Sequence, residues 1–367
     1  MTLTDAPGSH QGIPPHGEAH GPPMGFQNTH SPFPRQVVVE TTAACDQHCV
    51  FCGRTYMARP KKTMGPGLFR KIADEIAAES PYTELWPTFM GEALLLGNRL
   101  FDLIRYARRA GCRKITLNTN GNRINAKTIP GLLDCGLDRL IISCDGHTKE
   151  TYERIRVGGR FERLYGGANL LVETMARRGL SRPLLEMQFS LFDENEHEVE
   201  AFKQYWLARG AVVKVRPKLF WSGTVAGGTH RVSTGPERTA CLWAVDTMAI
   251  HWNGNIVVCA VDCDGKYVGG NVQVSTLKEV WNGPLKWIRE LHLQRRFQEL
   301  PEVCRACTDW AVKKAWAFFP NPQVREAYES YIRLGGAFTE AHGGPQDVAA
   351  HMTVDGAVVA PDPAPET

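Results

Sequence analysis

The spacing of apolar positions along the chain alternates between two periods. Val37, Val38 and Val39 form a short apolar strand. Residues 68–78 then repeat apolar side chains at helical spacing, and the alternation continues. Strand-like runs cover 85–90, 114–118, 139–143, 184–190 and 212–216. Helical runs cover 99–110, 126–135, 148–154, 161–178 and 196–208, with Gly111, Gly136 and Gly210 as stops. Strands that alternate with helices imply parallel strands joined by helical crossovers. Six such units, the last without its helix, fall short of the eight of a closed barrel. The expected fold class is α/β, a partial (β/α)6 TIM-like barrel.

Strand periodicity also assigns faces. Along 185–190, Leu185, Met187 and Phe189 share one face, while Glu186, Gln188 and Ser190 share the other. The apolar face has to meet helices, so the polar face lines the lumen and suggests a binding site rather than a packed core. Lys214, Arg216 and Lys218 likewise share a face. Two readings stand side by side: a solvated edge strand, which Pro217 supports, or a basic wall for a carboxylate or phosphate.

Composition narrows the class. The chain has 367 residues, is 43% hydrophobic and carries a net charge of +3, enough for two domains and without a nucleic-acid footprint. It has no run of eighteen apolar residues and no signal-peptide pattern, so no membrane span and a cytoplasmic location are expected. Eleven cysteines, an odd number, argue for metal ligands and core thiols over disulfides. Residues 1–35 are rich in Pro, Gly and His and read as a disordered arm. The division expected after it is a barrel core at 36–235, a cysteine-rich domain at 236–320, and a C-terminal helix with a disordered tail at 321–367.

Cys45, Cys49 and Cys52 give the spacing C-x3-C-x2-C. Three soft ligands on one loop suit an iron–sulfur cluster, which normally takes four, and leave one iron open. A zinc site is the competing reading. His48 would then be the fourth ligand, although it lies between two of the cysteines, a poor placement for a tetrahedral site.

This spacing resembles the radical S-adenosylmethionine (SAM) superfamily, whose fold is the partial barrel expected above. The resemblance implies that SAM binds the open iron of a [4Fe-4S] cluster and is split to a 5′-deoxyadenosyl radical. It covers residues 36 to about 235. Met90, Gly91 and Glu92 look like the family's Gly-Gly-Glu motif, which holds the methionine amino group, with Met90 in place of the first glycine. Asn118 ends the third strand, and Ser143 and Asp145 end the fourth, where the family contacts the ribose. Arg156 is the arginine implied to pair the SAM carboxylate, a task its planar fork suits. Phe51, just before Cys52, stands where the family places backbone near adenine; simple packing explains it equally well.

The C-terminal third holds Cys241 and Cys259 as C-x12-G-x4-C, then Cys304 and Cys307 as C-x2-C after a helical stretch at 277–297. Asn253-Gly254 signals a hairpin that brings the first two cysteines together. A four-cysteine zinc ribbon is again the competitor. The pattern resembles the α+β twitch domain, a shortened SPASM domain, which implies one auxiliary [4Fe-4S] cluster and two clusters in all. With four cysteines it has no open site, so an electron-transfer or tuning role follows. Cys112 and Cys135 read as buried small hydrophobes, and Cys144 faces the helices. Cys263 lies in a polar turn four residues after Cys259. It is a candidate hydrogen donor to a substrate radical, or else a spectator thiol or alternative ligand.

The expected function is a radical SAM oxidoreductase or epimerase acting on a small, polar, sugar-like natural-product intermediate. The alternatives are a sugar-nucleoside decarboxylase, a peptide-modifying enzyme, and a non-catalytic zinc- or cluster-binding interaction protein. The short arm before the barrel favours a small-molecule substrate over a peptide. An electron donor such as flavodoxin or ferredoxin is the implied partner.

Overall fold

The computed structural model describes residues 31–225, 238–311, 315–333, 353–354 and 357–358. The arm at 1–30 and most of the tail after 333 lie outside the described residues. Six strands form the core: β1 (Gln36–Val39), β2 (Glu84–Trp86), β3 (Lys114–Thr119), β4 (Arg139–Ser143), β5 (Leu184–Leu191) and β6 (Val212–Pro217). They pair in chain order, all parallel. β7 (Thr247–Ile250) adds to β1 in parallel, followed by antiparallel β8 (Asn255–Val257) and β9 (Val268–Asn271). At the other end β10 (Ala315–Phe318) pairs antiparallel with β6, with short strands β11 (Thr353–Val354) and β12 (Ala357–Val358) beyond it. The barrel is unclosed, since β9 and β11 end the sheet without meeting.

The helices lie on the outer face because their apolar stripes match the apolar strand positions. Pro66–Glu79 buries Phe69, Ile72, Ala73 and Ile76, and Asn98–Ala110 buries Leu100, Phe101, Leu103, Ile104 and Ala107. They share one core with Val37, Val39, Leu85, Ile115, Leu117, Leu140, Ile142, Met187 and Phe189. Cys112, Cys135 and Cys144 belong to this core, as the sequence suggested.

Several expectations need correction. The second strand stops at Trp86 because Pro87 has no N–H for the ladder, and the chain turns inward through Met90. The helix expected at 126–135 spans Ile129–Asp134. The stretch at 277–297 breaks at Gly283 and Pro284 into Leu277–Asn282 and Pro284–Leu293. The Asn253-Gly254 turn does join an antiparallel hairpin, β7–β8, with Gly254 at φ +88°. β6 is no solvated edge, because β10 covers it.

The lumen is only partly open. At its base Arg139 is fully buried between Glu84 (3.1 Å) and Glu186 (3.2 Å), with Lys214 4.0 Å from Glu186. Helix Pro322–Arg333 plugs this end: Tyr328 donates to Glu186 and Tyr331 to Glu84, each at 2.9 Å. Glu186, read from sequence as part of a binding face, is thus part of a packed ionic floor, and so is Lys214. Above this floor the strand positions facing the lumen include Asn118, Ser143 and Gln188.

Candidate functional site

The three-cysteine loop follows β1 and is held from three sides. The Arg54 guanidinium gathers its carbonyls, donating from Nε to Ala43 (2.8 Å), from Nη1 to Gln47 (3.4 Å) and from Nη2 to Cys45 (3.5 Å). The backbone N–H groups of His48 and Val50 donate to Val157 (2.7 Å) and Ile155 (3.0 Å). Asn120 bonds Asp46 at 2.9 Å and sits 3.7 Å from the Cys45 sulfur. His48 is exposed while Cys49 is buried, so His48 does not join the cysteines.

Burial pushes the thiols of Cys45, Cys49 and Cys52 up to about 11, 12 and 11. A neighbouring thiol adds to each shift. Such thiols keep their protons at neutral pH unless a metal replaces them.

Gly91 lies directly against this loop. A Cβ there would be 2.0 Å from the Thr42 carbonyl oxygen and 2.6 Å from that of Ala44, so only glycine fits. Glu92 donates its N–H to Ala44 (2.8 Å), and its carboxylate accepts from Asn120 N–H (2.7 Å) and Thr119 Oγ1 (2.9 Å). Burial raises its pKa to about 7 against those hydrogen bonds. Ser143 donates to Asn118 (3.0 Å) and is reached by Gln188 (3.4 Å), forming one polar wall of the upper lumen.

Asp145 and Arg156 are brought together rather than left facing a ligand. Arg156 donates to one Asp145 oxygen from Nε (2.9 Å) and Nη2 (2.5 Å), and the other oxygen accepts from Ser190 N–H (2.5 Å). Asp145 is fully buried at φ +64°. A ligand carboxylate could therefore meet only the remaining N–H groups of Nη1 and Nη2 of Arg156, while Asp145 holds that guanidinium and β5. The Phe51 ring packs 4.9 Å from Phe192, and its carbonyl accepts from the Trp221 indole at 2.8 Å.

Beside the polar wall Val38, Trp86, Ile141 and Ala249 pack with Phe89 and Trp243 in one apolar cluster. Two inward polar atoms, Trp86 Nε1 and Ser190 Oγ, are buried without a hydrogen-bond partner. Buried polar groups are normally paired, so these two are exceptions.

Cys241, Cys259, Cys304 and Cys307 are all buried, and the last three share a small apolar cluster. Burial raises Cys259 well above its usual value, and the other three thiols raise it further. Among the described residues no three His, Cys, Asp or Glu side chains surround a single ion's position. Arg238 donates to the Cys304 carbonyl at 2.6 Å, and His292 Nδ1 stands 3.4 Å from the Cys241 N–H. Cys263 is buried with Ala43, Met57 and Met90, against Cys52 and Trp221, at the seam between the two cysteine sites.

Residues 39–204 match the radical SAM superfamily, and residues 241–308 match SPASM, an iron–sulfur cluster-binding domain. The second match begins on Cys241 and ends one residue past Cys307. The chain belongs to the radical SAM superfamily. Its two matched domains are of the radical SAM and SPASM types, which imply SAM and a [4Fe-4S] cluster as cofactors and further cluster ligation in the C-terminal domain.

A probable GTP 3′,8-cyclase of Methanothermobacter marburgensis is 25% identical over 177 residues, 48% of this chain and 55% of that protein. The chain thus matches about half the length of that relative. BtrN in complex with AdoMet and 2-DOIA has a TM-score of 0.51 at 16% identity, covering 74% of this chain and 92% of that one. Streptococcus suis SuiB bound to precursor peptide SuiA has a TM-score of 0.57 at 14% identity, covering 70% of this chain and 67% of that one. At these identities the two structures share the fold. Among the described residues no helix is long and apolar enough to cross a membrane.

Within this radical SAM fold, sequence reading missed Arg54 and Trp221. Arg54 lies two residues past Cys52, where a basic residue in a short helix carries no distinctive signal. Trp221 reaches Phe51 across 170 residues, a contact no local pattern announces.

Proposed function

We propose that this radical SAM enzyme abstracts hydrogen from a small, hydroxylated, sugar-like molecule and that the net reaction is dehydrogenation. The mixed upper lumen carries this reading. Its apolar cluster suits the C–H face of a ring, and its polar wall of Asn118, Ser143 and Gln188, with the unpartnered Ser190 Oγ, suits hydroxyl groups. Likeness of fold to BtrN, which binds AdoMet and 2-DOIA, supports a small ligand. Likeness to SuiB, which binds a precursor peptide, supports the second reading, a peptide substrate.

Cys45, Cys49 and Cys52 would hold the SAM-binding cluster, which supplies the 5′-deoxyadenosyl radical. We assign SAM to the surroundings of Phe51, Gly91, Glu92, Asn118, Ser143 and Arg156, with Asp145 fixing Arg156. Here Glu92 is a carboxylate that an ammonium would keep ionised, and Arg156 offers its remaining Nη1 and Nη2 N–H groups to a carboxylate. Cys241, Cys259, Cys304 and Cys307 would hold the auxiliary cluster, the second of two. Oxidation of a carbinol to a carbonyl removes one hydrogen atom, one electron and one proton. The four-cysteine site is the electron's destination in this reading.

Anaerobically reconstituted protein, incubated with dithionite, SAM and a panel of aminosugars, nucleosides and peptides, is expected to form 5′-deoxyadenosine with an aminosugar. Formation only with peptides would replace the small-molecule reading by the second one. Metal analysis is expected to find about eight irons per chain and no zinc. One tightly held zinc with about four irons would remove the auxiliary cluster and its electron role.

Cys263 distinguishes dehydrogenation from inversion. Its thiol is buried at the seam and hydrogen-bonded to Thr224, so dehydrogenation is the expected outcome. Cys263→Ala is then expected to keep turnover, and product formed in deuterated water carries no deuterium at the reacting carbon. One deuterium there, lost together with inversion in Cys263→Ala, would make the enzyme an epimerase with Cys263 as donor.

A further inference from the structure

A short segment after β6 touches both cysteine sites at once. Asp309 accepts from the backbone N–H of Phe220 (2.7 Å) and of Ser222 (2.9 Å). The N–H of the same Asp309 approaches the Cys307 sulfur at 3.3 Å. Ser222 Oγ donates to the Val303 carbonyl, next to Cys304, at 2.6 Å. Between these two anchors Trp221 turns the other way: its indole donates to the carbonyl of Phe51, the neighbour of Cys52, at 2.8 Å. Its ring lies on Gly53, where a Cβ would come within 2.9 Å of Cγ.

The backbone of this segment is strained. Trp221 and Ser222 have φ of +54° and +55°, in the left-handed region that residues with a side chain rarely occupy. Such a conformation persists only where the surroundings over-determine it, and it collects at sites where the strain has a use. Here the over-determining contacts come from the four-cysteine side, through Asp309 and Val303. What they hold in place is an indole N–H on the three-cysteine loop.

We propose that Trp221 is a positioning residue through which the four-cysteine site sets the geometry of the three-cysteine loop, and with it the affinity for SAM. The proposal rests on the two-cluster reading above. With the auxiliary cluster in place, Cys304 and Cys307 are fixed, Asp309 and Val303 hold the strained turn, and the Trp221 indole fixes the Phe51 carbonyl. Without it, the C-x2-C segment loosens, the turn relaxes to an ordinary conformation, and the loop loses one part-buried hydrogen bond. The coupling is reciprocal, as any linkage between two binding equilibria must be.

A double-mutant cycle tests this. Four proteins are reconstituted anaerobically: wild type, Trp221→Phe, Cys304→Ala/Cys307→Ala, and the combination of all three substitutions. Iron content, SAM affinity by equilibrium dialysis, and the SAM-induced change in the EPR signal of the reduced cluster are measured for each. Trp221→Phe keeps an aromatic, though smaller, ring and removes the N–H donor. It is expected to retain its iron, to bind SAM about three- to tenfold more weakly and to show a smaller SAM-induced change. The double cysteine variant is expected to lose half its iron and to show a similar weakening. The combination is expected to be no weaker than the double cysteine variant. Gly53→Ala, which pushes the same ring away from the loop, is expected to reproduce Trp221→Phe and decides the matter where that variant folds poorly. Unchanged SAM affinity in both ring variants, or losses that multiply independently in the combination, overturn the proposal while leaving the two-cluster reading intact. A full iron complement in the double cysteine variant overturns both.

Discussion

Replacing Cys45, Cys49 and Cys52 together by alanine is expected to bring 5′-deoxyadenosine formation to background and to lower iron from about eight to about four per chain. The reason is the chemistry of the loop. Its backbone is gathered by the Arg54 clamp, His48 is exposed, and the Asp46 carboxylate is taken up by Asn120 and Arg123. Among the described residues no other group of three His, Cys, Asp or Glu side chains is gathered to replace the three thiolates. The remaining iron should stay with Cys241, Cys259, Cys304 and Cys307, which keep all four of their thiols. The measurement is iron and sulfide analysis alongside 5′-deoxyadenosine quantification after dithionite reduction. Reductive SAM cleavage that survives the triple substitution would show that the radical is generated elsewhere in the chain.

The largest effect on stability is expected from Arg139→Met. Arg139 is fully buried and serves two carboxylates, Glu84 and Glu186, with cation–π contacts to Trp86, Tyr328 and Tyr331. Breaking a buried ionic network by removing one partner costs about 3–5 kcal/mol, because charge is left uncompensated in a dry site. The pH dependence gives the cause away. Burial pushes the Glu84 carboxyl up, but the charges of Arg139 and Lys114 outweigh it and hold the pKa at about 2. In the wild type this contribution is present above about 4.5, the ordinary value, and is lost as the pH falls toward 2. Without Arg139 the burial effect gains ground and the Glu84 pKa rises, so the variant is penalised most at neutral pH and least in acid. Urea unfolding at pH 7 and pH 4.5 is expected to show the gap between wild type and variant narrowing at the lower pH. A gap that stays constant would mean that lost packing, not charge, accounts for the destabilisation.

The ionic floor also explains why polar alternation alone misjudged the lumen. The pattern at 185–190 correctly placed Glu186, Gln188 and Ser190 on one inward face. It could not tell that Glu186 meets Arg139 while Ser190 Oγ is left without a partner. The difference is made by Tyr328 and Tyr331 from a helix over a hundred residues away, which close one end of the barrel and leave the other open. The Lys214, Arg216 and Lys218 row divides the same way: Lys214 belongs to the floor, whereas Lys218 is half-buried against Phe192 and Phe220.

What the sequence determined by itself was local. Helical and strand periods are properties of neighbouring residues, so six parallel strands with outer helices could be read directly, as could the Asn253-Gly254 hairpin. Cysteine spacing within a loop is equally local, and it singled out the three-cysteine loop and the C-x2-C pair as candidates. The tertiary structure decided what depends on distant partners. It showed that Arg156 is held by Asp145, that Gly91 is required by the Thr42 and Ala44 carbonyls, and that Trp221 bridges two sites from a strained turn. Each of these is a hydrogen bond or a steric contact made when two strand ends or two domains meet. No residue in such a pair carries a sign of its partner until the chain has folded.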